Sequence, residues 1–237
     1  MRKKIPVINQ LSCLNCDVRQ FSWFEKGTDE QLLERQTYRT SQLTLEANDY
    51  LFMEGDSYSG SYTLKEGWMI CFKQLKDGRR QIIHVALPGD FLGYMPDKNA
   101  KVDYSCVAST DCRLCFFSAN DLEQLLLKDV ELIHRLIAIQ SSQNQACRTA
   151  LSYVGQSQAK HKVAYFLLEI IKRLSERGVD TTLSITFPLS RIDIADAVGI
   201  TPVHLGRVSV ELSNENIVIC RHGALNVVDP DGLKSLI

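Results

Sequence analysis

The hydrophobic pattern of the chain changes its period near Ser118, and this change limits the available folds more than any other feature. From about Tyr38 to Phe117, short apolar runs alternate with turn residues, and Asp77-Gly78 separates two of the runs. An Asp-Gly pair favours a two-residue hairpin, because both central residues of a type I′ turn need positive φ. Short strands at such regular spacing predict a β-sandwich or a β-barrel in this half of the chain.

After Ser118 the spacing is helical. Between Asp121 and about Val154, apolar residues and amides recur at alternating steps of three and four, and Gly155 ends the pattern. Such steps form the a/d seam of a coiled coil, and a helix of about 45 Å is longer than one domain can cover. We therefore predict a dimerisation helix rather than a helix packed on its own domain. Its seam residues are Ile133, Ile137, Gln140, Asn144, Cys147 and Leu151.

The last third of the chain carries the helix and strand signals of a winged helix-turn-helix, in the order that this motif requires. Ser190 is a predicted N-cap, Gly199 ends the helix that follows, and Thr201 caps a second helix whose first residue is Pro202. Two short helices joined by a tight turn form a helix-turn-helix. Two apolar runs after Ile217, with a turn at 221–224, supply the predicted wing.

These residues resemble those of a known family. The resemblance rests on the stretch FPLSRIDIADAVGITPVHLGR at 187–207 and on the upstream turns Asp77-Gly78-Arg79 and Pro88-Gly89-Asp90. Together they look like the signature of the cyclic-AMP receptor protein and fumarate-nitrate reduction regulator (Crp-Fnr) family, over nearly the whole chain. The resemblance implies an α+β fold with an N-terminal double-stranded β-helix (a cupin-like jelly roll), a long dimerisation helix and a C-terminal winged helix-turn-helix.

The resemblance also implies a domain order and a set of partners. The expected segments are an N-terminal cysteine-containing segment at 1–28, a sensory β-roll at 29–120, the dimerisation helix at 121–155 and the DNA-binding domain at 156–237. The expected function is sequence-specific regulation of transcription by a homodimer that binds an inverted-repeat operator and meets RNA polymerase. The recognition helices would enter successive major grooves of double-stranded DNA.

The second helix of the motif holds most of the residues expected to touch DNA. Arg207 matches the arginine that reaches guanine in the family, and a forked guanidinium can bond two acceptors on that base edge. Val203 stands where the best-known members carry a glutamate, and it fits contact with a thymine methyl. The expected DNA-binding residues are Arg191, Thr201, Pro202, Val203, His204 and Arg207.

The signal that such a protein senses is left open by the sequence. Cyclic-AMP binding in the family uses a carboxylate and an arginine, since a buried phosphate needs a guanidinium. The corresponding segments of this chain, 91–96 and 101–104, have neither that carboxylate nor that arginine, and Asp103 would repel the phosphate, so cyclic AMP is disfavoured. Cys13 and Cys16, with the distant Cys115, resemble the ligands of the oxygen-sensing branch and suggest an iron-sulfur cluster. A cluster needs a fourth ligand, for which the candidates are Asp17, Cys106 and Cys112.

Other roles for the cysteines remain open at this stage. Cys13 and Cys16 also fit a pair of redox thiols, and the cysteines on predicted strands fit small hydrophobic core residues. The chain contains 8 Cys, and no apolar run approaches the roughly 18 residues that span a membrane. The apolar stretch near the N-terminus contains Pro6 and is too short for a signal peptide, so we expect a cytoplasmic protein with reduced thiols and no membrane partner.

Composition and motif content exclude several function classes. The 27 Lys and Arg residues balance 28 Asp and Glu residues, which argues against a protein that coats nucleic acid indiscriminately. A metal-dependent cupin enzyme needs several histidines inside the roll, but only His84 lies in that region. We expect no enzymatic activity. The alternative function is a β-roll that binds a ligand or a metal without a direct role in transcription.

Overall fold

The computed structural model of the protein describes residues 5–6, 12–221 and 223–237. The chain divides into two compact units. The first unit is formed by Met1–Gln74 and Val85–Ser142, and the second by Leu75–His84 and Gln143–Ile237. This division passes through the segment predicted as the dimerisation helix. Residues 1–4 and 7–11 of the predicted N-terminal segment lie outside the described residues.

Two antiparallel sheets form the β-roll, as the regular strand spacing predicts. One sheet has the strand order β1-β2-β9-β4-β7, and the other has the order β3-β8-β5-β6. In chain order the strands are β1 (Ile5–Pro6), β2 (Ser41–Leu45), β3 (Tyr50–Phe52), β4 (Gly60–Glu66), β5 (Met69–Gln74), β6 (Arg80–Ala86), β7 (Phe91–Leu92), β8 (Ser105–Ala108) and β9 (Cys112–Ser118). The predicted hairpin joins β5 to β6, but its turn is not of type I′: Gly78 has a φ of +86°, whereas Asp77 does not have a positive φ. The amide of Leu75 donates to the carbonyl oxygen of Arg79, which leaves three residues in the loop instead of two.

The two faces of the larger sheet pack into different hydrophobic clusters. Leu64 of β4 and Leu114 of β9 belong to the interior of the roll. Phe117, three residues farther along β9, faces a second cluster outside the roll, together with Trp23. Successive side chains of a strand point to opposite faces, so residues three apart separate in this way. The indole Nε1 of Trp23 donates to Oγ1 of Thr63 at 3.0 Å and fixes the N-terminal segment on the outer face.

The long helix predicted at 121–155 is divided in the structure, which corrects that expectation. The first unit contains α1 (Asp29–Thr37) and α2 (Ala119–Lys128). The next helix, α3 (Val130–Gln156), belongs to the first unit up to Ser142 and to the second unit from Gln143. Asp129 interrupts the helical backbone with φ −125° and ψ 89°. Its Oδ1 accepts from the amide of Leu132 at 3.2 Å, and its Oδ2 accepts from Nε of the buried Arg35 at 2.8 Å. The carboxylate thus starts a new helix as an N-cap does.

The end of the helix also differs from the prediction. Gly155, predicted as the point where the helix ends, lies inside α3, which continues to Gln156. The next helix begins at Ala159, so the loop between the two helices is short. None of the helices in the described parts of the chain is long and apolar enough to cross a membrane.

The second unit has the winged helix-turn-helix that the capping signals predict. Its helices and strands are α4 (Ala159–Glu176), β10 (Ile185–Thr186), α5 (Arg191–Val198), α6 (Pro202–Asn214), β11 (Val218–Arg221), β12 (Ala224–Val227) and α7 (Pro230–Lys234). Oγ of Ser190 accepts from the amide of Asp193, and Gly199 ends α5 with φ +67°. Oγ1 of Thr201 caps α6. The predicted fold class is confirmed. His222 lies outside the described residues.

Candidate DNA-binding surface and cysteine pocket

Helix α6 has one buried side and one side that is open to solvent. Leu205, Val208 and Leu212 are buried, and they recur at the spacing of one helix face. All the side chains expected to contact DNA are exposed. They are Arg191, Thr201, Pro202, Val203, His204 and Arg207. The fold therefore leaves the whole predicted set available to a partner.

The charges of α6 are separated along its length. His204 and Arg207 lie in its N-terminal half, which contains no carboxylate. Glu211 lies in the C-terminal half and Glu215 is the C-cap residue, and Nζ of Lys160 binds both carboxylates, at 2.9 and 2.7 Å. The N-terminal half therefore presents the positive charge of Arg207 and the amides of the first helical turn. The two glutamates do not offset this charge, because each of them is paired with Lys160. An anion binds best at such an end of a helix.

Arg191 lies between α6 and the wing. A Cβ atom added to Gly206 of α6 would lie 4.0 Å from Nη1 of Arg191. Burial raises the pKa of the Cys220 thiol on β11, and the guanidinium of Arg191 partly opposes this rise. The side chain is therefore near two elements of the motif while remaining exposed, which is the position of a charge that touches the DNA backbone.

Arg80 holds α5 in place within the second unit. Its Nε donates to Oδ2 of Asp196 at 2.7 Å, and its Nη2 donates to Oδ1 of Asp193 at 2.5 Å. Asp193 also accepts from the amide of Ser190, so one carboxylate serves both the helix cap and the arginine. The sequence contains no local signal for this contact, since Arg80 and Asp196 are 116 residues apart.

We expect Arg80→Ala to lower the free energy of unfolding by about 1 to 3 kcal/mol, because it leaves partly buried carboxylates without their donor. Urea unfolding followed by circular dichroism measures the change. The matched control is Arg79→Ala, since Arg79 pairs with Asp77 in solvent and its side chain is 78% exposed. A surface pair of this kind contributes about 0 to 1 kcal/mol. Equal losses in the two variants would contradict a special role for Arg80.

Three of the predicted cysteines meet at one pocket in the first unit. Cys13, Cys16 and Cys115 all line a cavity between the N-terminal segment and the outer face of β4 and β9. The walls of this cavity are largely apolar, and they include Trp23 and Phe117. Cys13 and Cys115 are buried, whereas Cys16 is partly exposed. The structure thus brings together residues that are about one hundred positions apart in the chain.

Two polar side chains that sequence reasoning missed contact these thiols. Nη1 of Arg39 donates to Sγ of Cys13 at 3.6 Å, and Nε2 of Gln42 donates to Sγ of Cys115 at 3.6 Å. Burial raises the pKa of the Cys13 thiol to about 11, and Arg39 partly opposes the rise. Burial likewise raises the pKa of the Cys115 thiol. Both thiols are therefore protonated at neutral pH.

The candidates for the fourth ligand of an iron-sulfur cluster lie in different parts of the first unit. Asp17 follows Cys16 directly and is exposed. Two candidates for the fourth ligand, Cys106 and Cys112, belong to the interior of the roll, whereas Cys115 faces the outer cluster. Their assignment as ligands is therefore corrected: strand alternation along β9 directs Cys112 away from the pocket, and Cys106 belongs to β8 of the other sheet. Among the described residues, no group of three or more His, Cys, Asp or Glu side chains has the geometry to hold a metal ion.

The fold and the exposed helix define the class of protein: a transcription regulator with a β-roll and a winged helix-turn-helix that binds DNA. Comparison with known families agrees. Residues 42–129 match the cyclic nucleotide-binding domain, and residues 161–236 match the Crp-like helix-turn-helix domain. The chain belongs to the Crp-Fnr family, which confirms the resemblance read from the sequence.

Individual relatives support this assignment. The chain is 30% identical over 187 residues to the transcriptional activatory protein AadR of Rhodopseudomonas palustris, covering 78% of this chain and 77% of that protein. It is 28% identical over 225 residues to the nitrogen fixation regulation protein FixK of Bradyrhizobium diazoefficiens, covering 94% and 93%. The structure of FixK2 from Bradyrhizobium japonicum has a TM-score of 0.75 at 24% identity, covering 82% and 96%. These relatives are regulators rather than enzymes.

Proposed function

We propose that the protein acts as a homodimer that reads an inverted-repeat operator through two copies of α6 and then meets RNA polymerase. The observation that carries this proposal is the exposed N-terminal half of α6, where positive charge and helix amides occur without any carboxylate. A helix of this kind places its first residues at base edges in the major groove. Arg207 supplies the contact with guanine, and Arg191 supplies a contact with phosphate.

The remaining residues of α6 have proposed roles that follow from their chemistry. Val203 has a side chain that is 69% exposed, and it contacts a thymine methyl group. His204 donates to a base or to a phosphate, and Thr201 and Pro202 position the start of the helix. Because the family glutamate is absent at Val203, we expect the operator to differ at that base pair from the sites of members that carry the glutamate.

The dimer forms along α3. Ile137 and Leu151 are 60% and 71% exposed in the single chain, although both are large and apolar. Gln140, Asn144 and Cys147 lie between them on the same seam and are also exposed, while Ile133 is half-buried. Burial of this stripe against a second copy removes apolar surface from water, which favours association. A two-fold axis along α3 then gives the operator its symmetry.

Selection from random DNA tests the proposal. The bound sequences should converge on an inverted repeat whose half-sites are about 34 to 36 Å apart, or one helical turn, because each copy of the protein reads one half. Sequencing of the retained fragments, at a stated salt concentration, gives the result. Selected sites with no two-fold symmetry would rule out the symmetric dimer, and retention of no fragment would favour a β-roll that binds a ligand without regulating transcription.

We infer that the β-roll does not respond to cyclic AMP. Tyr104 reaches into the roll, where its hydroxyl accepts from the amide of Gly93 at 3.0 Å and its ring packs against Phe52 at 5.2 Å between centroids. Gly93 belongs to the segment that binds the nucleotide in cyclic-AMP-dependent members. An amide already bonded to Tyr104 is not free for a phosphate, and neighbouring Asp103 would repel one.

We propose instead that Cys13, Cys16 and Cys115 respond to the redox state of the cytoplasm as thiols. Of these three thiols, Cys16 reacts first, because it is partly exposed, whereas Cys13 and Cys115 are buried and their burial raises the pKa of each thiol. Cys13 and Cys115 line the same cavity and are available as partners once Cys16 has been oxidised. Trp23 lines the same cavity and donates a hydrogen bond to Thr63 of β4, so it connects the cavity with the sheet.

Alkylation of the reduced, folded protein tests this order of reactivity. Among the three cysteines of the pocket, we expect iodoacetamide at pH 8 to label Cys16 first and Cys13 much more slowly. A thiol whose pKa is about 11 instead of 9.0 has about 100-fold less thiolate at that pH, and only the thiolate reacts. The rate at Cys13 should rise as the pH approaches 11. Equal rates at pH 8 would contradict the proposal, and iron and sulfide in protein purified without oxygen would replace it with a cluster.

A further inference from the structure

A second pair of thiols lies inside the β-roll, apart from the cysteine pocket. Cys71 of β5 and Cys106 of β8 are directly opposed in the antiparallel register. Sγ of Cys71 donates to Sγ of Cys106 at 3.5 Å. Both residues are almost completely buried, with exposures of 1% and 0%. Neither of them lines the cavity that holds Cys13, Cys16 and Cys115.

The strand geometry already matches that of a disulfide. Directly opposed residues of an antiparallel pair have Cα atoms about 4.5 to 5.5 Å apart. Disulfides join residues whose Cα atoms are about 4.4 to 6.8 Å apart, so this strand spacing allows a bond. The two sulfur atoms then have to approach from 3.5 Å to about 2.05 Å. Other buried cysteines of the roll lack this arrangement: Sγ of Cys112 bonds the carbonyl oxygens of Trp68 and Thr110 instead.

We propose that Cys71 and Cys106 are a modification site at which hydrogen peroxide forms a reversible disulfide between β5 and β8. Complete burial excludes bulky oxidants such as glutathione disulfide, whereas peroxide is close to water in size and enters during local opening of the roll. The proposal does not rest on the sensing role of the cysteine pocket or on binding to DNA.

The reaction proceeds in two balanced steps. The thiolate of one cysteine attacks a peroxide oxygen; an S–O bond forms, the O–O bond breaks, and the released hydroxide takes up a proton and leaves as water. The second thiol attacks the sulfur of this sulfenic acid; the S–S bond forms, the S–O bond breaks, and another water leaves. Two thiols are oxidised to one disulfide, and one peroxide is reduced to two waters. A dithiol reductant reverses the change.

Mass spectrometry of the full-length protein tests the site. The reduced, folded protein is treated with hydrogen peroxide, then unfolded in N-ethylmaleimide and digested. We expect a linked peptide pair that contains Cys71 and Cys106, lighter by two hydrogens than the two free peptides. Dithiothreitol given before unfolding should restore alkylation of both cysteines. Glutathione disulfide, used at the same concentration, should leave both of them free.

Matched variants sharpen the result. Cys71→Ala and Cys106→Ala should each abolish the linked peptide, whereas Cys112→Ala, which removes a buried cysteine from the same roll, should retain it. If a variant fails to fold, the presence or absence of the linked peptide in the unaltered protein still tests the proposal. Full alkylation of Cys71 and Cys106 after peroxide would overturn the proposal. So would a linkage that forms only when peroxide is added to the unfolded chain, or one that joins either cysteine to a different partner.

Discussion

Arg207→Ala is expected to weaken binding to the selected operator by about 5- to 150-fold, which corresponds to about 1 to 3 kcal/mol. The exposed guanidinium stands on the N-terminal half of α6 without a carboxylate nearby on that half. It can therefore donate two hydrogen bonds to O6 and N7 of guanine, and alanine donates none. Fluorescence anisotropy with the operator measures affinity, and a panel of sites with one base changed measures specificity. The loss of affinity should be largest for the parent site, so that the variant no longer discriminates among bases at one position of the operator.

Two further variants separate base recognition from general attraction to DNA. Arg191→Ala should weaken binding to all sequences by a similar factor and reduce the salt dependence, because a phosphate contact carries no sequence information. Lys172→Ala removes one positive charge from α4, where the side chain is 71% exposed, and should leave binding unchanged. If Arg207→Ala bound the parent site as tightly as the unaltered protein, or lost affinity equally for every sequence, the assigned base contact would be wrong.

Placing two carboxylates on the seam of α3, as Ile137→Asp with Leu151→Asp, is expected to give a monomer and to reduce operator binding by about 100-fold or more. Like charges on the seam repel, and an aspartate would have to leave water when the two helices meet. Each monomer still reads one half-site, but the gain from binding two linked half-sites is lost. Analytical ultracentrifugation should show a mass near the 26.8 kDa of one chain.

The control for this variant also introduces an aspartate, but on the side of α3 opposite the seam. Ser142 is exposed and lies two residues from both Gln140 and Asn144, which places it nearly opposite the seam. Ser142→Asp should remain a dimer with unchanged DNA affinity. Circular dichroism of both variants checks that α3 is intact. A seam variant that stays dimeric would mean that the two copies associate through another surface, and the symmetry of the operator would then need a different explanation.

The winged helix-turn-helix could be predicted closely because its boundaries depend on neighbouring residues. Ser190 and Thr201 cap their helices by bonding an amide three residues ahead, and Gly199 adopts a positive φ without steric cost. The hairpin at Gly78 was predicted in position but not in turn type, because only Gly78 of the Asp-Gly pair has a positive φ. Each of these devices works over a few residues, so sequence order alone locates it. Exposure of the DNA-binding residues follows from the same helix periodicity.

Features that depend on distant residues were not predictable in this way. The break in the helix at Asp129 is stabilised by Arg35, which is 94 residues away. The hydrophobic periodicity of the sequence does not predict this break. Arg80 reaches Asp193 from 113 residues away and stabilises the first helix of the motif. Helical spacing predicts a helix wherever the pattern continues, but it carries no information about a carboxylate held by a remote arginine.

The cysteines show most clearly which features the sequence predicts and which depend on the tertiary structure. From the sequence came the family, the order of the domains and the suspicion that Cys13, Cys16 and Cys115 belong together. Only the tertiary structure decided that Cys112 faces the interior of the roll, and that Cys106, on the other sheet, lies beside Cys71. The physical reason is that caps and periodicity act within one element, whereas the partner of a buried thiol is set by strand register, which joins residues 35 positions apart in the chain.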